Sequence, residues 1–411
     1  MSRLDELIAE LCPDGVEFKP IKKCVVKTEK IKWANHTSEA YQYIDLSSVD
    51  RENHIISETT EITSENAPSR AQQIVTIGDI LLGATRPMLK RYCIVPENYD
   101  GDICSTGFCV LRANEKIVLR KFLYHIISST AFFEHVEKFQ KGASYPAISD
   151  ADVKACLIPV PPLEVQREIV RILDNFTELT AELTAELTAR KQQYEYYADN
   201  MFPSIKDKDM EWVELGSVAT VTKLAGFEFT KYVTYSENGE VIALRGLNVK
   251  NGHLVLDDVK YIDGSNLEML TRSKLHIGDM LFTYVGTVGQ VALVDEEDKY
   301  YLAPNVALVR INDTDFIPKY MMYYFLTNRF KSEQIAKLLQ ASSMQNIPME
   351  KIRKFKLPKI SLERQQRVVD MLDRFDGICN DISSGLPAEI EARQKQYEYY
   401  RDKLLTFKQL A

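Results

Sequence analysis

The chain is written twice, and that constrains its fold more than any other feature. PPLEVQREIVRILDNF at 161–176 returns as ISLERQQRVVDMLDRF at 360–375, with Gln166 matching Gln365 and Asp174 matching Asp373 at an offset of 199 (365 − 166). QYEYY occurs at 193–197 and again at 396–400, where Tyr194 matches Tyr397 at an offset of 203 (397 − 194). The four extra residues advance a helix by about 6 Å and turn its face by only about 40°, so length changes while phase nearly holds. Fainter repeats lie upstream: IGDILLGATRPM (77–88) against IGDMLFTYVGTV (277–288), and GVEFKPI (15–21) against DMEWVEL (209–215). A duplicated chain predicts a duplicated architecture.

Between Leu163 and Phe202 the residues Ile169, Leu173, Phe176, Leu179, Leu183, Leu187, Tyr194 and Tyr197 recur at helical spacing, with no glycine or proline between them, which predicts one long helix. PVPPLE ahead of it is a start signal, because proline suits the first turn. Within it the TAEL tandem sets Glu178, Glu182 and Glu186 four apart, a like-charge ladder that disfavours an isolated helix. A partner helix from the other half, packed antiparallel as a coiled coil, would supply the missing stability; two separate helices, each packed on its own domain, are the other reading. In the second copy SSGLPAEI (383–390) predicts a break at Gly385 and Pro387, although Pro387 also suits the first turn of a new segment.

The remaining blocks mix strand patterns (QQIVTIGDILL, FCVLRA, KLHIGDMLFTYV, NVALVRI) with helical ones, 119–139 and 317–339. The expected fold class is α+β: two pseudo-symmetric α+β domains separated by two long antiparallel helices. Their limits are expected at 1–156, 157–204, 205–355 and 356–411.

Catalytic signatures are missing. There is no phosphate-binding GxxxxGK[ST] loop and no GxGxxG opening a helix; DEED (295–298) reads as a solvated turn. Asp14, Glu17 and Lys19 carry the letters of a nuclease site at too short a spacing for two neighbouring strands. Six histidines form no metal-binding pattern, and seven irregularly spaced cysteines predict buried, reduced thiols. The net charge of −8 excludes a uniformly basic coat but leaves local basic patches open. The charged N-terminal stretch and the lack of a long apolar run predict a cytoplasmic protein without a membrane span.

The paired helical motifs, the TAEL tandem and the two QYEYY blocks together resemble the specificity subunit of type I restriction-modification enzymes, in the branch with TAEL repeats in its central helix. The resemblance covers nearly the whole chain. It implies two target recognition domains, each reading half of a bipartite site in double-stranded DNA, with the helices setting the spacing. It also implies two modification subunits that bind S-adenosylmethionine and two restriction subunits that use ATP and Mg, leaving this chain non-catalytic and without a cofactor. A coiled-coil scaffold holding two domains for non-DNA ligands is the competing reading.

Base edges and phosphates are read by arginine, lysine, amides and hydroxyls. The first block offers Arg86, Lys90 and Arg91 in one turn and Gln140, Lys141, Ser144 and Tyr145 in another. The matching places in the second block hold Thr287 and Gln290, and Gln340, Ser343, Gln345 and Asn346. The basic stretch 22–32 reads either as a phosphate track or as a solvated strand. Under the resemblance, Tyr194, Tyr196, Tyr197, Tyr397, Tyr399 and Tyr400 are candidates for subunit docking, with Tyr196 turned away from the Tyr194 and Tyr197 face.

Overall fold

The computed structural model describes residues 3–36, 39–224, 229, 231–339, 346–380 and 385–410. The chain forms two compact units: Met1–Leu183 together with Ile390–Ala411, and Thr184–Glu389. The first is assembled from both ends of the chain and the second is continuous, so each takes a share of both helical segments.

In the first unit a four-stranded antiparallel sheet runs in the order Val25–Val26, Phe108–Ala113, Ile80–Gly83, Tyr92–Ile94. Every residue of Ile80–Gly83 is buried, as expected of a central strand covered on both faces. A second sheet contains a parallel pair with Tyr43 opposite Ile103. In the second unit the same order recurs as Ala219–Lys223, Val306–Ile311, Met280–Thr283, Val291–Leu293, and the parallel pair returns with Ala243 opposite Tyr301. The IGD motif is explained by this geometry. Buried Asp79 takes two hydrogen bonds from Arg112 at 2.8 and 2.7 Å, and buried Asp279 takes two from Arg310 at 2.7 and 2.6 Å.

The segment 119–139, expected as one helix, is two: Arg120–Ser128 and Thr130–Phe139, separated by Ser129, whose hydroxyl accepts from the Phe132 amide. The segment 317–339 breaks in the same way after Pro318–Leu326, where the Thr327 hydroxyl accepts from the Phe330 amide. Helical periodicity runs through both breaks, whereas a serine or threonine cap restarts the helix by offering its own acceptor. In the stretch 22–32 only Val25–Val26 is strand; it follows a short helix, Ile21–Cys24, whose Ile21 and Cys24 are buried.

The long helix is continuous over Leu163–Met201. Thr180 and Thr188 donate to the carbonyls of Phe176 and Thr184, four residues back. The second copy divides into Leu362–Asn380 and Leu386–Leu404, with Pro387 in a first turn; Ser383 and Ser384 of the expected break lie outside the described residues.

Val165, Ile169 and Leu173 share the first unit's core with Tyr397, Leu404 and Leu405. In the second unit Ala198 and Phe202 share a core with Val369 and Leu372, while the rings of Tyr194 and Tyr197 lie 6.4 and 5.8 Å from that of Phe375. Ala198 and Phe202 thus meet Val369 and Leu372 while Tyr194 and Tyr197 meet Phe375, so contacts advance along one helix as they retreat along the other, the antiparallel order.

The repeated glutamines are fully buried at 0% exposure. Gln166 accepts from the Leu119 amide at 2.9 Å and donates to the Ile117 and Pro161 carbonyls. Gln365 accepts from the Ile317 amide at 2.9 Å and donates to the Asp315 and Ile360 carbonyls. One amide side chain satisfies three backbone groups where a loop meets a helix, so no apolar residue substitutes without stranding them.

Candidate nucleic-acid interface

Two loops of the first unit that lie far apart in sequence are laced together by their backbones. The Ile148 amide donates to the Ala84 carbonyl at 2.9 Å, Thr85 bridges to Ala147, and the Arg86 amide donates to the Pro146 carbonyl at 2.7 Å. The second loop closes on itself through reciprocal 2.8 Å bonds between Lys141 and Ala147. Gly142, at φ 102°, allows the closure because a Cβ there would lie 2.9 Å from the Tyr145 carbonyl oxygen.

This lacing gathers the predicted residues of the first block. Arg86, Lys90, Lys141, Ser144 and Tyr145 are exposed, while Arg91 and Gln140 are half-buried. The guanidinium of Arg86 lies 4.6 Å from the centre of the Tyr145 ring, which is 71% exposed. The Lys90 ammonium lies 5.2 Å from the Phe133 ring. Among the described residues none of Arg86, Lys90, Arg91 or Lys141 has a carboxylate within ion-pair distance. Four cations without a carboxylate partner in two laced loops give this region a positive local field despite the acidic chain. Among the described residues the buried Gln140 amide oxygen has no hydrogen-bond partner.

The second unit repeats the lacing with different letters. The Ile347 amide donates to the Tyr284 carbonyl at 2.9 Å and Val285 bridges to Asn346. Thr287 is exposed beside them, and Asn346 is half-buried. The Gln290 side-chain oxygen accepts from the Asn251 amide at 2.9 Å, which ties this loop to the hairpin of Val249–Lys250 and His253–Leu254. Gln340, Ser343 and Gln345 lie outside the described residues.

Sequence reasoning missed a pocket beside this loop, lined by Phe229, Tyr235, Arg245, Thr283, Thr287 and Asn305. In the first unit Leu46 fills the corresponding place, its side chain 3.3 and 3.0 Å from where Gly83 and Gly107 would carry a Cβ. In the second, Gly246 stands where Leu46 does and leaves the space open. Aligning the strand ends IDL and LRG, at 44–46 and 244–246, would have exposed the difference.

The tyrosine blocks present equivalent faces. Tyr196 and Tyr399 are 67% and 62% exposed; Tyr197 and Tyr400 are 40% and 41% exposed. Each pair meets edge to face, with centroids at 5.6 and 5.3 Å. Tyr400 also stacks on Phe176 at 5.4 Å, as Tyr197 leans on Phe375. Tyr194 and Tyr397 turn inward. The Tyr397 hydroxyl meets His125, whose imidazole burial pushes below its usual pKa despite the bond to Asp174.

Among the described residues no cluster of His, Cys, Asp or Glu is arranged to hold a metal, and no helix is long and apolar enough to cross a membrane. The seven cysteines are free and buried. Residues 295–298 form an exposed turn, and Glu17 pairs with Lys19 at 3.0 Å.

Residues 9–190 and 207–392 each match the type I restriction modification DNA specificity domain. The chain is 33% identical over 313 residues to the type I restriction enzyme EcoR124I/EcoR124II specificity subunit of Escherichia coli, covering 72% of this chain and 73% of that one. It is 30% identical over 308 residues to a Haemophilus influenzae protein named as a type I restriction enzyme specificity subunit, covering 72% and 74%. A solved structure concerned with complex assembly and conformational transition of the type I R-M system shares the fold, with a TM-score of 0.65, 24% identity and coverage of 96% and 98%.

Proposed function

The chain belongs to the type I restriction-modification specificity subunits, non-catalytic proteins that give a DNA-modifying complex its sequence preference; on that premise we propose that each unit's laced loop pair reads one half of a bipartite double-stranded site. The observation that carries this reading is the repetition of the lacing, Thr85 with Ala147 and Val285 with Asn346, around side chains that differ. A constant frame with variable letters is what two readers of different sequences require. The scaffold reading with non-DNA ligands has no finding in its favour.

The helices set the separation between half-sites. The outward tyrosines, Tyr196 with Tyr197 and Tyr399 with Tyr400, give two equivalent surfaces, which suits two modification subunits and, with them, two restriction subunits. S-adenosylmethionine, ATP and Mg belong to those partners, and the assembly acts in the cytoplasm. Lys90, Arg91 and Lys141 meet phosphates, so affinity falls as salt rises.

Methylome sequencing of cells carrying the chain with its modification subunits tests the assignment. Ser144→Ala and Thr287→Ala are expected to relax different halves of one bipartite site. Relaxation of the same half by both substitutions would refute one reader per unit.

A further inference from the structure

The loop 84–91 turns through two left-handed residues, Arg86 (φ 48°, ψ 56°) and Lys90 (φ 52°, ψ 41°), on either side of the short turn Pro87–Leu89. A side chain in that region crowds its own backbone, a cost that glycine escapes. The second unit solves the same turn with glycine: Gly286 at φ 77° and Gly289 at φ 90°. The equivalence is fixed by hydrogen bonds. Ile148 and Ile347 donate to Ala84 and Tyr284, and Gly83 and Thr283 donate to Arg91 and Gln290. The first unit therefore keeps cations at two positions where its own repeat shows that the fold accepts glycine.

At Arg86 the strain is not offset by any polar bond of the side chain. The Arg86 side chain is exposed and makes no hydrogen bond or ion pair among the described residues, while its backbone is held by the Pro146 carbonyl and by the Leu89 amide. Its guanidinium lies over the Tyr145 ring, a platform that positions the group while its donors make no hydrogen bond among the described residues. A planar fork of donors, pre-oriented on a rigid loop and aimed at solvent, matches the two acceptors O6 and N7 on the major-groove edge of guanine. Lys90, a point charge on a flexible stem, suits a phosphate instead.

We infer that Arg86 reads a guanine in the half-site of the first unit, with Tyr145 as its positioning residue. This rests on the half-site reading above and deepens it to one residue and one base.

The test uses the chain assembled with its modification subunits, comparing wild type, Arg86→Gly, Arg86→Lys and Tyr145→Leu by selection from random duplex DNA and by methylome sequencing. Arg86→Gly should relax a single G·C position of one half-site, losing about tenfold to hundredfold discrimination there, with the other half unchanged. Its melting temperature should be unchanged or higher, which separates lost reading from lost folding. Arg86→Lys should restore the position only in part, because an ammonium on a flexible stem lacks the rigid planar fork that matches both acceptors. Tyr145→Leu should weaken the same position, and it decides the matter if Arg86→Gly abolishes selection altogether. An unchanged recognition sequence, relaxation at an A·T position, or different positions for Arg86 and Tyr145 would overturn the assignment while leaving one reader per unit intact. A wild-type site that is not bipartite would sink the half-site reading itself.

Discussion

The Tyr397 hydroxyl lies 2.8 Å from Nδ1 of His125, a buried imidazole whose other nitrogen lies 3.3 Å from Asp174. The bond joins the final helix to the first variable block across 272 residues of sequence. At the matching place in the second unit Tyr323 donates to Asp373 directly. Removing the hydroxyl would strand a buried ring nitrogen, so Tyr397→Phe should cost about 1–3 kcal/mol. Urea unfolding checks this, with Tyr399→Phe as the neutral comparison because its ring stands in solvent.

Tyr196→Ala and Tyr399→Ala should leave the midpoint of unfolding within about 0.5 kcal/mol of wild type, as exposed substitutions do. Both should lower the affinity for modification subunits, measured by titration of the purified chain. Unaltered assembly in the double variant would remove these tyrosines from the docking surface.

Acid should act on the two units in opposite directions. Burial lowers the His54 pKa from 6.5 to about 4 and also lowers that of His125. A depressed histidine protonates first in the unfolded chain, so the first unit is fully stable above about pH 6.5 and loses stability as pH falls toward about 4. In the second unit the hydrogen bond to Asp376 raises the His253 pKa. That contribution is present below 6.5 and is lost as pH rises through the raised value. Hydrogen exchange followed residue by residue between about pH 5 and 7 should show faster opening at low pH in the first unit only.

Two stretches distant in sequence close the first unit: the Val16 amide donates to the Lys408 carbonyl and the Leu410 amide to the Val16 carbonyl, each at 2.9 Å. Gly15 at φ 115° passes so close that a Cβ would lie 2.4 Å from the Lys408 oxygen. Joining residue 411 to residue 1 and opening the exposed turn after Lys206 should therefore give a folded chain that still assembles with its partners. Circular dichroism and co-purification decide it, and an unfolded product would contradict the closure.

Inserting one more TAEL after Leu187 lengthens the helix by about 6 Å at nearly constant phase, against about 3.4 Å per base pair. The spacer between half-sites should grow by about one to two base pairs with both halves read as before. A two-residue insertion rotates the face by about 200° and should abolish packing of Tyr194 and Tyr197 on Phe375. Methylome sequencing that shows the original spacer in the four-residue variant would mean the TAEL helix does not set the distance.

By itself the sequence determined what repeats. Periodicity marks the helix from Leu163, Gln166 and Gln365 mark equivalent junctions, and IGD marks equivalent strands, because each feature is set by near neighbours or by direct comparison of two copies. Pro387 could either break a helix or begin one, and the separate helix from Leu386 resolves it. The breaks at Ser129 and Thr327 escaped periodicity, since a hydroxyl cap interrupts hydrogen bonding without interrupting the apolar pattern. Only the tertiary structure brought residues 84–91 against 140–148, because strand pairing and loop bridges join backbones that share no local signal. It also decided which side chains of that cluster are free. Arg86 and Gln290 are both polar loop residues in the sequence, yet one faces solvent over Tyr145 and the other holds the Asn251 amide. That difference depends on where distant backbone groups fall, and no short stretch of letters encodes it.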